Sequence, residues 1–291
     1  MSILITDSNC ELWYTRAEEL GLDYISMPYT YNDEVYSYDL GKNTDFKKFY
    51  DAVRGGAIPK TMALNPEEYK EFLTPYFEKG EDVLYISFSH KMSGTFSSLE
   101  NALEELKEKF PERKCTIFNT KAISIGAMPQ VEAAAKLKKQ GKSDEEIIEF
   151  LKDFTNRIAV YFVVDDLMHL KRGGRLSGAA AVAGTVLSLK PVLSFDAEGG
   201  LSVLEKVMGR RKALSRLAEK VVAGLTNPEY DVIIADADCS EDGKALAELI
   251  LKKRPEAKIR FQTIGPVIGS HCGPGTVAVS FVSSQRPIPL K

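Results

Sequence analysis

The chain has 291 residues, 44% of them hydrophobic and 27% charged. That is the make-up of an ordinary globular protein, long enough for two domains. A formal net charge of -3 with no basic stripe argues against a nucleic-acid partner. Met1 to Asp7 lacks the basic segment of a signal peptide. The nearest approach to a membrane span, Ser177 to Leu189, is rich in small residues and stops at Lys190. A cytoplasmic protein that is not integral to a membrane is expected.

Taken in order, Ile3 to Thr6 reads as a short strand with Asp7-Ser8 at its carboxyl end, and Met27 to Thr44 reads as irregular. Asp45 to Arg54 is a helix stopped by Gly55-Gly56, and Thr61 falls in the loop that follows. Asn65-Pro66-Glu67-Glu68 combines a cap residue, proline at the first helical position and an acid three residues on, which starts another helix. Asp82 to Ser89 is a buried strand, and from Phe96 onward Leu99, Leu103, Leu106 and Phe110 recur at helical spacing. A strand at Cys115 to Asn119, a helix to Gln140, a stop at Gly141 and a capping box from Ser143 to Glu146 follow. This alternation implies a mostly parallel α/β sheet.

Beyond Arg157 the pattern changes, and the domains are placed at 1–157 and 158–291. Ile158 to Val164 is a strand, and Asp165 to Leu170 is a short helix running into Lys171-Arg172-Gly173-Gly174-Arg175. Pro191 to Phe195 and Leu201 to Val207 flank a turn sequence and read as a hairpin. A basic amphipathic helix (Arg210 to Val222), a strand–helix–strand unit (Val232 to Phe261) and a terminal strand (Thr276 to Val282) complete a mixed α/β sheet.

Cys10, Cys115, Cys239 and Cys272, with His90, His169 and His271, show no metal-ligand spacing, so neither a metal nor a cofactor is expected. His271 and Cys272, read as part of an extended segment, would face opposite ways and form no nucleophile pair. Ligands of open α/β sheets bind outside the carboxyl ends of the strands. Asp7-Ser8, Lys60-Thr61 and Ser93-Gly94-Thr95 are the hydroxyl-bearing segments expected there. The last of these precedes a helix, where unpaired N–H groups and the positive end of the dipole suit a carboxylate or phosphate. The plainer alternative makes Ser93 or Thr95 an N-cap and nothing more. Gly265 to Gly275, with four glycines and two prolines, reads as a loop that leaves His271 at a strand edge as a donor to an anion, or as an incidental histidine. No dinucleotide or Walker sequence occurs.

Asp7-Ser8, Lys60-Thr61 before Pro66, Ser93-Gly94-Thr95, Leu170 to Ser177, Leu189-Lys190-Pro191-Val192-Leu193 and His271-Cys272-Gly273-Pro274-Gly275 together resemble the DegV family, in family order across nearly the whole chain. Met62-Ala63-Leu64-Asn65 departs from the hydroxyl- and glutamine-rich segment usual after the threonine. The resemblance implies a two-domain protein holding one long-chain fatty acid between its domains. Thr61 and Ser93 would bind the carboxylate, Gly94 and Thr95 would frame the helix start, and His271 would donate nearby. It further implies a lipid-binding, non-catalytic subunit of a bacterial fatty acid kinase, whose ATP-binding partner makes an acyl-phosphate for phospholipid synthesis. At least one of Arg172 and Arg175, Arg172 before Arg175, is assigned to that partner or to the transferred phosphoryl group; the alternatives are a structural role for Arg175 within the turn, or two arginines that merely pair with acids on a solvated face. Ile25, Met27, Phe162 and Ala179 to Leu187 are the expected tunnel lining, with ordinary core the alternative for each of them. The alternatives are a serine hydrolase using Ser93 with His271, for which no G-x-S-x-G sequence is present, and a stand-alone lipid-binding regulator.

Overall fold

The computed structural model describes residues 2–176 and 189–290. Its chain divides into two compact units, Met1–Thr44 with Thr61–Thr155, and Asp45–Lys60 with Asn156–Lys291. The first unit opens with β1 (Ile3–Asp7), α1 (Tyr14–Leu20), β2 (Asp23–Ile25), β3 (Met27–Tyr31) and β4 (Glu34–Tyr38). Helix α2 (Phe46–Arg54) belongs to the second unit. The chain then returns through β5 (Lys60–Thr61), α3 (Pro66–Glu78), β6 (Val83–Ser87), α4 (Thr95–Lys109), β7 (Cys115–Asn119), α5 (Met128–Lys139) and α6 (Asp144–Thr155). The second unit continues with β8 (Ile158–Val163), α7 (Leu167–Arg172), β9 (Leu189–Phe195), β10 (Leu201–Met208) and α8 (Arg210–Gly224). It ends with β11 (Val232–Asp236), α9 (Ser240–Leu251), β12 (Ile259–Thr263), α10 (Pro266–Cys272) and β13 (Val277–Val282).

The first unit is built on a parallel sheet of order β2-β1-β6-β7. Every residue of β6 is buried, as a strand covered on both faces requires. Leu99, Ala102 and Leu106 turn the apolar stripe of α4 inward. The α3 start is a complete capping box: Asn65 Oδ1 accepts the Glu68 N–H at 3.0 Å, and Glu68 accepts the Asn65 N–H at 2.7 Å. A small second sheet has the order β4-β3-β5.

Here the structure corrects two expectations. Met27 to Tyr38 is a hairpin, turned at Asn32 and Asp33 with φ of 52° and 61°. These are the paired left-handed angles that suit a two-residue turn of Asn and Asp. On its inner face Tyr29, Tyr31 and Tyr36 stack with ring centroids 4.7–6.2 Å apart. Thr61, expected in a loop, ends the two-residue strand β5, and the next residue's N–H bonds the Pro28 carbonyl at 3.1 Å.

The second unit is a mixed sheet of order β10-β9-β8-β13-β11-β12, parallel only at β11–β12. Leu214, Leu217 and Val221 of α8 and Leu246 and Ile250 of α9 pack on Val232, Ile234, Val277 and Val279 of the sheet. The expected β9–β10 hairpin closes through Asp196, whose Oδ1 accepts the N–H groups of Glu198 and Gly200 at 2.8 Å. Residues 265–275 hold a helix, not the expected loop. Pro266 occupies its first turn, and Gly269 fits because an added Cβ would stand 2.5 Å from the Tyr50 hydroxyl of α2.

Candidate functional site

In the first unit Thr61 is on β5 of the small sheet, whereas Asp7, Ser8, Ser93, Gly94 and Thr95 lie at the carboxyl ends of β1 and β6 or in the connections that follow. Chain geometry puts these residues there: a parallel strand must leave its sheet at that edge before a helix carries it back. Asp7 ends β1 and is 1% exposed; its carboxylate accepts the Asn9 N–H at 2.9 Å and the Phe88 N–H at 3.5 Å. Burial pushes its pKa up to about 7, against the opposing pull of those N–H groups and the Tyr85 hydroxyl. Ser8 is fully buried, and its hydroxyl accepts the Met27 N–H at 2.9 Å.

After β6 the chain is held by a series of short contacts. Ser89 donates its N–H to the Ala122 carbonyl at 2.8 Å and accepts the Lys91 N–H on its hydroxyl at 3.2 Å. Gly94 is the residue before α4 and gives no side-chain cap; an added Cβ there would meet open space. The Ser93 hydroxyl takes over, accepting the Thr95 N–H at 3.2 Å and lying 2.9 Å from the Thr95 hydroxyl. Thr95 is buried, Ser93 is half-buried and Gly94 is exposed. The two hydroxyls therefore form a pair at the positive end of a fifteen-residue helix, with Ser93 also serving the structural duty that the plainer reading assigned to a cap.

In the second unit His271 lies in the last turn of α10, not at a strand edge. Its environment pushes its pKa down to about 4: burial disfavours the cation, and the Arg175 guanidinium adds repulsion. The imidazole is therefore neutral over the physiological range. A Cβ on Gly173 would stand 2.3 Å from His271 Nδ1, and a Cβ on Gly273 would stand 2.3 Å from the His169 ring. Each histidine thus packs on the other turn's glycine, joining the 171–175 turn to the 271–275 turn. Arg172 is exposed at the end of α7, whereas Arg175 is half-buried and donates to the Gly173 carbonyl. Lys190 closes the same region, with Nζ 2.6 Å from Asp165 Oδ1 and 2.7 Å from the Asp165 carbonyl.

Ile25, Met27 and Phe162 are buried within their units. Ser177 and Ala179 to Leu187 lie outside the described residues. Residue spacing holds no hint of the contact between His90 Nδ1 and Asn119 Nδ2, 2.5 Å apart, or of the His90 ring 5.9 Å from Phe96 in the first turn of α4. Nor does it reveal what Ser8 holds, since the partner is nineteen positions away. Among the described residues no group of histidines, cysteines or acids could hold a metal ion, and no helix is long and apolar enough to cross a membrane.

Comparison with known proteins identifies the family. The family model described as "Uncharacterised protein, DegV family" matches residues 2–284. A DegV domain-containing protein of Clostridium perfringens is 37% identical over 285 residues, covering 98% of both chains. Among solved structures, a fatty-acid-binding DegV family protein of Thermus thermophilus superposes with a TM-score of 0.85 at 29% identity, over 97% of this chain and 99% of that one. DegV of Bacillus subtilis, described as a fatty acid binding protein, gives 0.82 at 29% identity, over 97% and 98%. By sequence and fold alike, this chain belongs to the DegV family.

Proposed function

We propose that this protein binds one long-chain fatty acid, with its carboxylate on the hydroxyls of Thr61 and Ser93 at the Gly94–Thr95 helix start. The observation that carries the reading is the likeness, over almost the full chain, to solved DegV proteins described as fatty acid binding. The Ser93–Thr95 hydroxyl pair at the α4 start supports it. Hydroxyls suit a carboxylate that must later react, because they satisfy its lone pairs without the deep ground-state stabilisation of an arginine clamp. Burying one methylene contributes about 0.8 kcal/mol, so a tail of roughly fourteen offers on the order of 11 kcal/mol before ordering costs. Each head-group hydrogen bond adds about 1 kcal/mol. The tail therefore drives affinity and the hydroxyls fix which end is presented.

The reading extends to a lipid-binding subunit that presents the carboxylate to a separate ATP-dependent kinase. A carboxylate oxygen attacks the γ-phosphorus, the bond to ADP breaks, and an acyl-phosphate for phospholipid synthesis results. Use of ATP places the protein in the bacterial cytoplasm. Arg172, exposed at a shaped turn, is assigned to the partner or the phosphoryl group, with Arg175 holding the turn. His271, neutral at physiological pH, is assigned a donor role through an N–H rather than a charge.

Native purification, organic extraction and mass spectrometry should yield about one fatty acid per chain. Empty extracts, with no rise in melting temperature on adding hexadecanoate, refute the ligand. Arg172→Ala should keep the lipid and lose acyl-phosphate formation in the presence of the kinase. Full transfer by that variant removes the assignment.

A further inference from the structure

Asp7 and Ser8 are adjacent, buried and polar, yet the carboxylate reading above gives neither of them a ligand to touch. What they hold instead falls into two arms. Ser8 accepts the N–H of Met27, the opening residue of β3; the next carbonyl, at Pro28, accepts the N–H of Met62, immediately after Thr61. Asp7 accepts the N–H of Phe88, the first residue beyond β6, and at the far end of that connection stands Ser93. Between them, Ser89 is fixed to Ala122, and Met92 donates to the Ser89 carbonyl at 3.0 Å. Asp7 is fully extended, with φ -119° and ψ 160°, so its side chain and the next leave the strand in different directions.

Neither hydroxyl of the proposed site sits on a rigid element of its own. Thr61 is on a two-residue strand and Ser93 is in a turn. A small planar carboxylate must nevertheless meet both within about 0.5 Å of the productive geometry. The end of β1, a central strand of the parallel sheet, is the rigid point common to both arms. We propose that Asp7 and Ser8 are positioning residues that set the spacing of the two carboxylate-binding hydroxyls, Ser8 through the Thr61 arm and Asp7 through the Ser93 arm. This rests on the reading of Thr61 and Ser93 as the head-group ligands.

The test is a set of double-mutant cycles read by hexadecanoate binding, with hexadecan-1-ol as the probe that shares the tail and lacks the carboxylate. Ser8→Ala and Asp7→Asn should each weaken hexadecanoate about tenfold and leave hexadecan-1-ol within about twofold. Ser8→Ala should cost nothing more in a Thr61→Ala background and its full factor in a Ser93→Ala background; Asp7→Asn should show the mirror pattern. A merely structural role predicts equal losses for both probes and no such pairing. Full additivity of Ser8→Ala on Thr61→Ala, or equal loss of the alcohol, overturns the proposal. If Thr61→Ala and Ser93→Ala are themselves silent while the wild type binds, the head-group reading has failed rather than the positioning. Should Ser8→Ala not fold, Ser8→Cys, similar in size and a poorer acceptor, completes the same cycle.

Discussion

Asp7→Asn tests the electrostatics of the β1 end directly. In the folded protein burial holds the Asp7 carboxyl at about 7, against an ordinary value of 3.8. That difference corresponds to about 4 kcal/mol. The sign follows from proton counting. Between those two values the folded state keeps a proton that the unfolded state has released, so Asp7 favours folding fully below pH 4 and loses that contribution as pH rises to 7. Asparagine cannot ionise, but its NH₂ group faces one of the two N–H donors that the carboxylate satisfied, a pH-independent cost of about 1–3 kcal/mol. The variant should therefore be less stable than wild type at pH 4.5 and gain on it by about 3 kcal/mol by pH 8. Urea unfolding from pH 4.5 to 8, followed by the fluorescence of the single tryptophan, Trp13, reports on the unit that contains Asp7. A stability difference constant with pH within about 1 kcal/mol refutes a poised buried acid. A difference of opposite slope shows that the N–H donors outweigh burial.

Other variants probe the remaining contacts. Gly173→Ala drives a methyl group against His271 and should cost the second unit about 1–3 kcal/mol in chemical unfolding; wild-type stability would mean that the two turns are not interlocked. The His271 ring should titrate near pH 4 by NMR and move upward in Arg175→Ala, since its folded value is depressed first by burial and then by that guanidinium. By linkage, the stability that His271 contributes is complete above about 6.5 and is lost as pH falls toward 4. Asn65→Ala removes the side-chain acceptor of the α3 capping box, leaving the bond from the backbone N–H of residue 65 to Glu68, and should cost about 1 kcal/mol, reported by Trp13.

Local physics made much of this molecule legible. The capping box at Asn65, the stop at Gly141 and the Asp196 turn are set within a few residues of sequence, and the structure has all three. The covered strand β6 and the apolar stripe of α4 were equally readable. The β3–β4 hairpin was hidden because tyrosines do duty as its apolar face. Their alternation from Tyr29 to Tyr38 is a period-two signal only once phenol rings count as buried surface. The helix at residues 266–272 was hidden for another reason: glycine lowers helix propensity, and the Gly269 fit against Tyr50 depends on a residue more than two hundred positions away. Ser93 was recognisable as a residue before a helix. That Ser8 spends its hydroxyl on a backbone N–H is a tertiary fact that spacing does not encode.

The grouping of Asp45–Lys60 with Asn156–Lys291 has a consequence for synthesis and dissection. During translation α2 is made ahead of residues 61–155, and so well before residues 156–291 of its own unit. Its buried face of Phe49, Tyr50 and Val53 then has none of the partners that later cover it, among them the Ile264 carbonyl that accepts the Tyr50 hydroxyl at 2.7 Å. No single cut separates the two units: a fragment ending at Thr155 carries α2 as an exposed greasy helix, and one beginning at Asn156 leaves Gly269 facing a hole where Tyr50 belongs. A faithful half-protein needs residues 45–60 excised from the first piece and grafted to the second.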